Sequence, residues 1–263
     1  MNKISIIILA AGKGTRMNIG HPKVLTQLNN ESLIENLLKT INKTEYSNSV
    51  SVVVGYQGEE VIKKLSASAQ LSNRDEGNKY NFIWQKEQLG TGHAVQQCEQ
   101  DLKNKYNSYL ILHGDVPFIS LETIQNIIKT HQENNSVLTM VTLKLPDFEG
   151  IRHIYSHFGR IIRNGNGEIS KIVEFKDASE EEKQITELNP AIYCVQDEWL
   201  WENLNKLNNQ NQQAEYYLTD LVKLASDQDL KINSLVIEDG FEFMGINTLE
   251  DLELAQKIYK EKY

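Results

Sequence analysis

Short apolar runs alternate along the chain with stretches of helical periodicity. Ile4-Ser5-Ile6-Ile7-Ile8-Leu9 has the length of one buried strand. Ser32 to Thr40 predicts a helix: Ser32 and Glu35 form a capping-box pair, and Leu33, Ile34, Leu37, Leu38 and Ile41 make one apolar stripe. Val50 to Val54 reads as a strand ended by Gly55, Glu59 to Leu65 as a helix, and Phe82-Ile83-Trp84 as a short strand. Residues 66–80 are polar with few apolar anchors and read as a mobile surface loop. Tyr109 to Leu112 is a second buried strand, Leu121 to Glu133 an amphipathic helix through Ile124, Ile127 and Ile128, and Ser136 to Leu145 a β-rich run. The turn Asn164-Gly165-Asn166-Gly167 between Gly159–Arg163 and Ile169–Phe175 predicts a hairpin. Glu198 to Leu207 is helical, with Trp199 and Trp201 as packing residues, and Glu215-Tyr216-Tyr217-Leu218-Thr219-Asp220 opens another helix. Phe241 to Ile246 alternates like a strand, and Thr248 and Asp251 cap a last helix to about Lys260. Strands alternating with helices predict an α/β fold with a doubly wound, mostly parallel mixed sheet.

Composition narrows the class. The chain has 263 residues, 40% of them hydrophobic, which suits one domain over 1–263 with a small β annex at about 146–220. A chain of this size buries roughly 70–75% of its unfolded surface. The net charge is −9 and no basic run stands out, so the overall field repels nucleic acid and anionic membrane. Cys98 and Cys194 lie far apart and outside any C-x-x-C pair, as expected of reduced thiols. The opening Met1-Asn2-Lys3 and its apolar run mimic a signal peptide, but Lys13 and Arg16 follow at once, which favours a first strand. No apolar stretch approaches the roughly 20 residues of a membrane span. The expected location is cytoplasmic, with neither membrane nor nucleic acid as partner.

The candidate chemistry gathers at the end of the first strand. Leu9, Ala10, Ala11, Gly12, Lys13 and Gly14 form a small-residue loop followed by Thr15-Arg16-Met17 and Pro22-Lys23-Val24-Leu25. Glycines there let backbone N–H groups approach a polyphosphate closely. Lys13, Arg16 and Lys23 add cations to the same mouth. The spacing is neither G-x-x-x-x-G-K-[ST] nor G-x-G-x-x-G, because Met17 stands where a third glycine would be. Asp115 follows the buried Tyr109–Leu112 run as a helix cap or, in a phosphate site, a metal ligand. His153 and His157 have i, i+4 spacing but no evident third ligand, and Gly150 weakens a helix there. They read as surface histidines.

These motifs, with Gln85 to Ala94, Gly114 to Pro117, Gly159 to Arg163, Ile172 to Asp177, Glu215 to Asp220 and Gly245 to Asn247 in the same order, resemble those of sugar-nucleotide pyrophosphorylases. Within that family the likeness is to the N-terminal domain of bacterial N-acetylglucosamine-1-phosphate uridylyltransferases. The resemblance implies a Rossmann-like nucleotidyltransferase fold that converts UTP and a sugar 1-phosphate, N-acetylglucosamine 1-phosphate first among them, to UDP-sugar and pyrophosphate. It implies catalytic roles for Arg16 and Lys23, and nucleotide contacts from Leu9 to Gly14, Lys23, Gln85, Gly90 and Thr91. It further implies sugar contacts from Gly159, Glu174 and Asn189, and Mg²⁺ held by Asp115 and Asn247. The Gln85 carboxamide, donor and acceptor at once, matches the mixed pattern of a uracil edge. His93 is expected to be structural.

Pro190-Ala191 departs from the Thr/Ser-Gly usual after that Asn, and residues 146–158 make a longer segment than the family usually has. No hexapeptide repeat is present, so a left-handed β-helix domain is not expected and a stand-alone nucleotidyltransferase is, although a longer chain cut here would read the same. The alternatives are a uridylyltransferase for another sugar 1-phosphate, an enzyme using CTP or a purine nucleotide, and a non-catalytic nucleotide-sugar-binding protein. The oligomeric state stays open.

Overall fold

A computed structural model of the chain describes residues 3–17, 19–68 and 80–262. Its strands are β1 (Ile4–Ala10), β2 (Gln27–Leu28), β3 (Glu31–Ser32), β4 (Val50–Val54), β5 (Asn81–Trp84), β6 (Ser108–His113), β7 (Leu138–Lys144), β8 (Gly159–Arg163), β9 (Ile169–Val173), β10 (Glu187–Asn189), β11 (Tyr193–Gln196) and β12 (Ile232–Ile237). Its α-helices are α1 (Leu33–Ile41), α2 (Gly58–Ala67), α3 (Thr91–Gln96), α4 (Glu99–Leu102), α5 (Leu121–Glu133), α6 (Asp197–Leu204), α7 (Asp220–Asp227) and α8 (Leu249–Lys262).

β1 is buried along its whole length, as its apolar run, interrupted only by Ser5, requires of a central strand covered on both faces. It pairs in parallel with β4 on one side and β6 on the other, and β5 extends the parallel half beyond β4. The chain leaves β1 toward β4 and β5, then returns to the opposite side of β1 as β6. That reversal opens a crevice at the carboxyl ends of β1 and β6, where open α/β sheets bind ligands. The second half of the sheet is largely antiparallel. β11 pairs with β6 and β7, while β10 pairs with β7 and β8. Only Pro190 to Ile192 separate β10 from β11, and Ala191 adopts φ 60°. Across that kink the neighbour changes from β8 to β6. The step leaves room between the end of β6 and the β8–β9 hairpin.

Local chemistry explains most of the elements. At α1 the Glu35 carboxylate accepts the Ser32 N–H at 2.9 Å and the Ser32 hydroxyl at 2.6 Å. At α8 Thr248 Oγ1 accepts the Asp251 N–H at 3.1 Å, and Asp251 Oδ2 accepts the N–H groups of Thr248 and Asn247 at 2.9 Å. The β8–β9 hairpin forms around the expected Asn-Gly turn. Trp199 and Trp201 are buried in the core beside α3 and β6.

One expectation needs correction, and one strand was not expected. Phe241 to Ile246 is not a strand: Gly240–Phe243 is a 3₁₀ turn started by Asp239, whose carboxylate accepts the Phe241 N–H at 3.0 Å. Phe243, Met244 and Ile246 are buried from an irregular backbone, so the alternation reflects burial without a ladder partner. β12, parallel to β7, carries too little periodicity in Ile-Asn-Ser-Leu-Val-Ile to stand out. Most of the polar 66–80 stretch, residues 69–79, lies outside the described residues, and α2 runs through Ala67. Among the described residues no helix is long and apolar enough to cross a membrane. Cys98 and Cys194 are buried and unpaired.

Candidate active site

Two clefts, of about 480 Å³ and about 250 Å³, open at the switch point and share Thr91, His113, Asp115 and Glu215 as lining. The larger is walled by Leu9 to Thr15, Lys23, Gln85, Gln88 and Gly90. The smaller is walled by Gly159, Glu174, Asn189, Pro190, Ala191, His157 and Asn247, among others. The expected nucleotide and sugar residues therefore divide between two adjoining spaces that meet at Asp115.

At the junction four predicted residues interlock. Lys23 Nζ forms an ion pair with Asp115 Oδ2, and it donates to Asn247 Oδ1 at 2.7 Å. Arg16 Nη2 donates to the same Asn247 oxygen at 2.7 Å, although the rest of Arg16 is exposed and does not line either cleft. Asp115 and Asn247 come from distant segments, tied together by the Ile246 N–H donating to the Asp115 carbonyl at 3.0 Å. Burial pushes the Asp115 carboxyl upward, but Lys23 and His113 outweigh it and leave the group below its ordinary value. His113 is held below the usual histidine range by burial, with Asp115 opposing and Lys23 assisting.

Glycines shape this mouth by close approach. A Cβ on Gly14, where φ is 60°, would fall 2.7 Å from Lys23 Cβ. One on Gly90, where φ is 109°, would fall 2.6 Å from the Tyr216 carbonyl oxygen. Gly90 and Gly92 thus let the Glu215–Leu218 segment lie on the start of α3, sealed by Gly92 N–H to Tyr216 O and Tyr216 N–H to Leu89 O, both 2.8 Å. Thr91 Oγ1 accepts the Leu218 N–H at 3.0 Å.

The amide residues are half committed. Gln85 Nε2 donates to the Gly90 carbonyl at 3.0 Å and lies 3.0 Å from His93 Nδ1. Its donors are engaged inside the protein, which leaves Oε1 for a ligand and gives His93 a structural task. Gln88, which the sequence reading passed over, also lines the larger cleft. In the smaller cleft Asn189 Oδ1 accepts the Ala191 N–H at 3.0 Å and the Tyr193 hydroxyl at 2.8 Å, leaving the Asn189 amide hydrogens for a ligand. Glu174 Oε1 accepts the Thr219 hydroxyl at 3.1 Å. Burial raises the Glu174 carboxyl, Thr219 offsets part of that, and Asp177, Asp220 and Glu215 raise it further. A Cβ on Gly159 would come within 3.6 Å of both Asn189 Cβ and Glu174 Oε1, so these three positions form one cluster. His157, expected at the surface, is exposed but stands in the wall of this cleft.

A sheet with its crevice at this switch point, a glycine-rich loop after β1 and an Asp after β6 define a nucleotide-handling α/β enzyme. The chain belongs to the MobA-like NTP transferase domain family, which matches residues 6–215, and is an enzyme of the nucleotidyltransferase class. It is 36% identical over 262 residues to the bifunctional protein GlmU of Acetivibrio thermocellus, covering 100% of this chain and 53% of that protein. It is 37% identical over 256 residues to the protein of the same name from Clostridium botulinum (strain Eklund 17B / Type B), covering 97% and 52%. The chain thus spans about half the length of these curated relatives. Its fold is similar to that of a UDP-glucose pyrophosphorylase complexed with UDP-glucose, with a TM-score of 0.77, 16% identity and full coverage of both chains. It is also similar to 4-diphosphocytidyl-2C-methyl-D-erythritol synthase from Anaerococcus prevotii, with a TM-score of 0.65, 18% identity, and 98% and 96% coverage.

Proposed function

We propose that this chain is a sugar-1-phosphate uridylyltransferase that joins UTP and N-acetylglucosamine 1-phosphate to give UDP-N-acetylglucosamine and pyrophosphate, acting as one nucleotidyltransferase unit in the cytoplasm. The observation that carries the reading is the pair of adjoining clefts meeting at Asp115, Lys23 and Asn247. The larger has the glycine loop and cations suited to a triphosphate. The smaller presents the Glu174 carboxylate and the Asn189 amide, an acceptor and a donor for sugar groups.

In this reading an oxygen of the sugar phosphate attacks the α-phosphorus in line, and the bond to the β-phosphate oxygen breaks as pyrophosphate leaves. The attacking phosphate is already ionised at neutral pH, so no protein base or nucleophile is required. The chain supplies alignment and charge. Lys13, Lys23 and the amides of the Leu9–Gly14 loop hold the triphosphate, and Arg16, which reaches Asn247 Oδ1, adds charge at the junction for the equatorial oxygens and the leaving pyrophosphate. Gln85 Oε1 accepts from the base edge, with Gly90 and Thr91 beside it.

The donor set at the junction fits a hard divalent cation. Two oxygens from separate segments, Asp115 Oδ2 and Asn247 Oδ1, already converge on one cation, the Lys23 ammonium. Mg²⁺ takes one or two protein oxygens and completes its shell with phosphate and water. Held by Asp115 and Asn247, it would supply charge neutralisation for the phosphates. Among the described residues no group of three or more His, Cys, Asp or Glu could hold a metal ion.

One observation favours a second acceptor. Pro190 and Ala191 both line the smaller cleft, and Ala191 holds φ 60° with a methyl group where glycine would leave space. A plain hexose 1-phosphate fits that narrower corner. Nucleoside triphosphates screened against sugar 1-phosphates, with pyrophosphate release as the readout, test both readings. UTP with N-acetylglucosamine 1-phosphate is expected to give the highest kcat/KM. An equal or higher value for glucose 1-phosphate replaces the first acceptor by the second, and release with no pair refutes both.

A further inference from the structure

The segment leading into β8 is built more firmly than a surface turn requires. Asp147 Oδ1 accepts the Glu149 N–H at 2.8 Å and Arg152 Nε at 2.7 Å. Tyr155 is buried with its ring so close to Gly240 that a Cβ there would fall 2.8 Å from Tyr155 Cζ. Phe158 meets Tyr155 edge-on at 5.4 Å. Arg160 locks the end of the segment. It is 1% exposed, and its guanidinium lies 5.1 Å from the Phe148 ring and 5.2 Å from the Phe175 ring. It donates to the carbonyl of Ser156 at 2.8 Å, to that of Phe158, and to that of Lys183 at 3.0 Å.

Burying a guanidinium with carbonyls and aromatic rings but no carboxylate is costly, so the arrangement needs a return. The carbonyls of Ser156 and Phe158 flank a single residue, His157. One rigid fork therefore fixes the backbone on both sides of it. The imidazole is further braced edge-on against Phe175, with centroids 5.0 Å apart and planes at 82°.

This braced imidazole lines the smaller cleft with Gly159, Glu174, Asn189 and Asn247, and it is not part of the larger one. The charged and titratable groups that bear on it are His153, Arg16, Arg160 and Asp251. Burial and the three cationic or basic neighbours hold it below the usual histidine range against Asp251. At neutral pH it is an uncharged ring with one N–H donor and one acceptor nitrogen.

We propose that His157 is an acceptor-recognition residue, hydrogen-bonding the sugar 1-phosphate between the Asn247 end and the Glu174–Asn189 end of the cleft, and that Arg160 is the positioning residue that aims it. The proposal rests on reading the two clefts as nucleotide and acceptor sites. It predicts a split between substrates. In the full chain, His157→Ala raises KM for N-acetylglucosamine 1-phosphate about 5- to 50-fold, the scale of one lost hydrogen bond. KM for UTP and kcat stay within about threefold, and His157→Gln recovers part of the loss. Arg160→Lys, which keeps the charge but not the fork, moves the acceptor KM in the same direction. Combined with His157→Ala it adds little, as residues acting through one another do. Calorimetry gives a readout free of turnover: UDP-N-acetylglucosamine binds more weakly to His157→Ala, while UTP binds as before. His157 is exposed, so its variants keep the wild-type melting temperature. An unchanged acceptor KM, or equal weakening of both substrates, overturns the proposal while leaving the site reading intact. A wild-type protein inactive with every nucleotide and sugar-phosphate pair overturns the site reading itself.

Discussion

Asp115 Oδ2 and Asn247 Oδ1 meet on one ammonium, and both side chains of the Lys23–Asp115 pair are only 15% exposed. A cation bound by the same two oxygens must compete with Lys23. Lys23→Gln is therefore expected to bind Mn²⁺ more tightly than wild type in the absence of nucleotide, by about tenfold, the value of one hydrogen bond to a charged group. Electron paramagnetic resonance of free Mn²⁺ measures this. The same variant should lose roughly 10²- to 10³-fold in turnover if the ammonium acts mainly on the transition state. Unchanged or weaker Mn²⁺ binding contradicts the competition, and a rise in KM alone would reduce Lys23 to uniform binding. At this scale the sequence carries residue identity well and direction poorly. Gln85 and Asn189 were legible as candidate amides, and each lines one of the two clefts. That each spends one end of its amide on internal partners depends on Gly90, His93, Ala191 and Tyr193, whose approach only the folded backbone creates. His157 was read as a surface histidine and is exposed, but its place in the cleft wall was not legible, since nothing near it in sequence shows that Arg160 clamps its flanking carbonyls.

The elements that were legible are those with a strong period. β1, α1 and α5 carry near-continuous or striped apolar patterns and local caps, and they lie where those patterns end, within a residue or two. The Phe241–Ile246 stretch misled because alternate burial arises equally from an irregular backbone wedged between Phe118 and Tyr155. α5 also brings a titratable group into the core. His131 is 3% exposed, with Nδ1 3.1 Å from Thr139 Oγ1 on β7 and Nε2 3.0 Å from Ser108 Oγ on β6. Burial lowers its pKa to about 4. A histidine whose folded pKa lies below its unfolded value, about 6.5, binds fewer protons folded than unfolded across that interval. Stability is therefore full above about pH 6.5 and is lost as pH falls toward about 4. The loss has an upper limit of roughly 3 kcal/mol, at about 1.4 kcal/mol per pH unit. Urea midpoints at pH 7 and pH 5 check this, with His131→Gln as the control. The variant should be less stable at pH 7 and nearly flat between the two pH values. An equally steep loss in the variant would assign the acid sensitivity elsewhere.

At the scale of the whole molecule, the order of strands makes the site. Because β1 sits between β4 and β6, the glycine loop and Asp115 open into one crevice, and the β10–β11 kink sets the β8–β9 hairpin beside it. The parallel half followed from alternating strands and helices. The kink followed from nothing local, since Pro190-Ala191 acquires its meaning only when β8 and β6 compete for the same strand. On the proposed reading a chain of net charge −9 takes two anionic substrates and needs its cations concentrated, and Lys13, Arg16 and Lys23 all fall within eleven residues of the first loop. The most direct measurement of the account follows the α-phosphorus itself. With α-³²P-labelled UTP, N-acetylglucosamine 1-phosphate and Mg²⁺, the label should appear in a UDP-sugar and the released pyrophosphate should be unlabelled. Label recovered in UMP, or in no sugar nucleotide, would contradict transfer to a sugar phosphate at the junction of the two clefts.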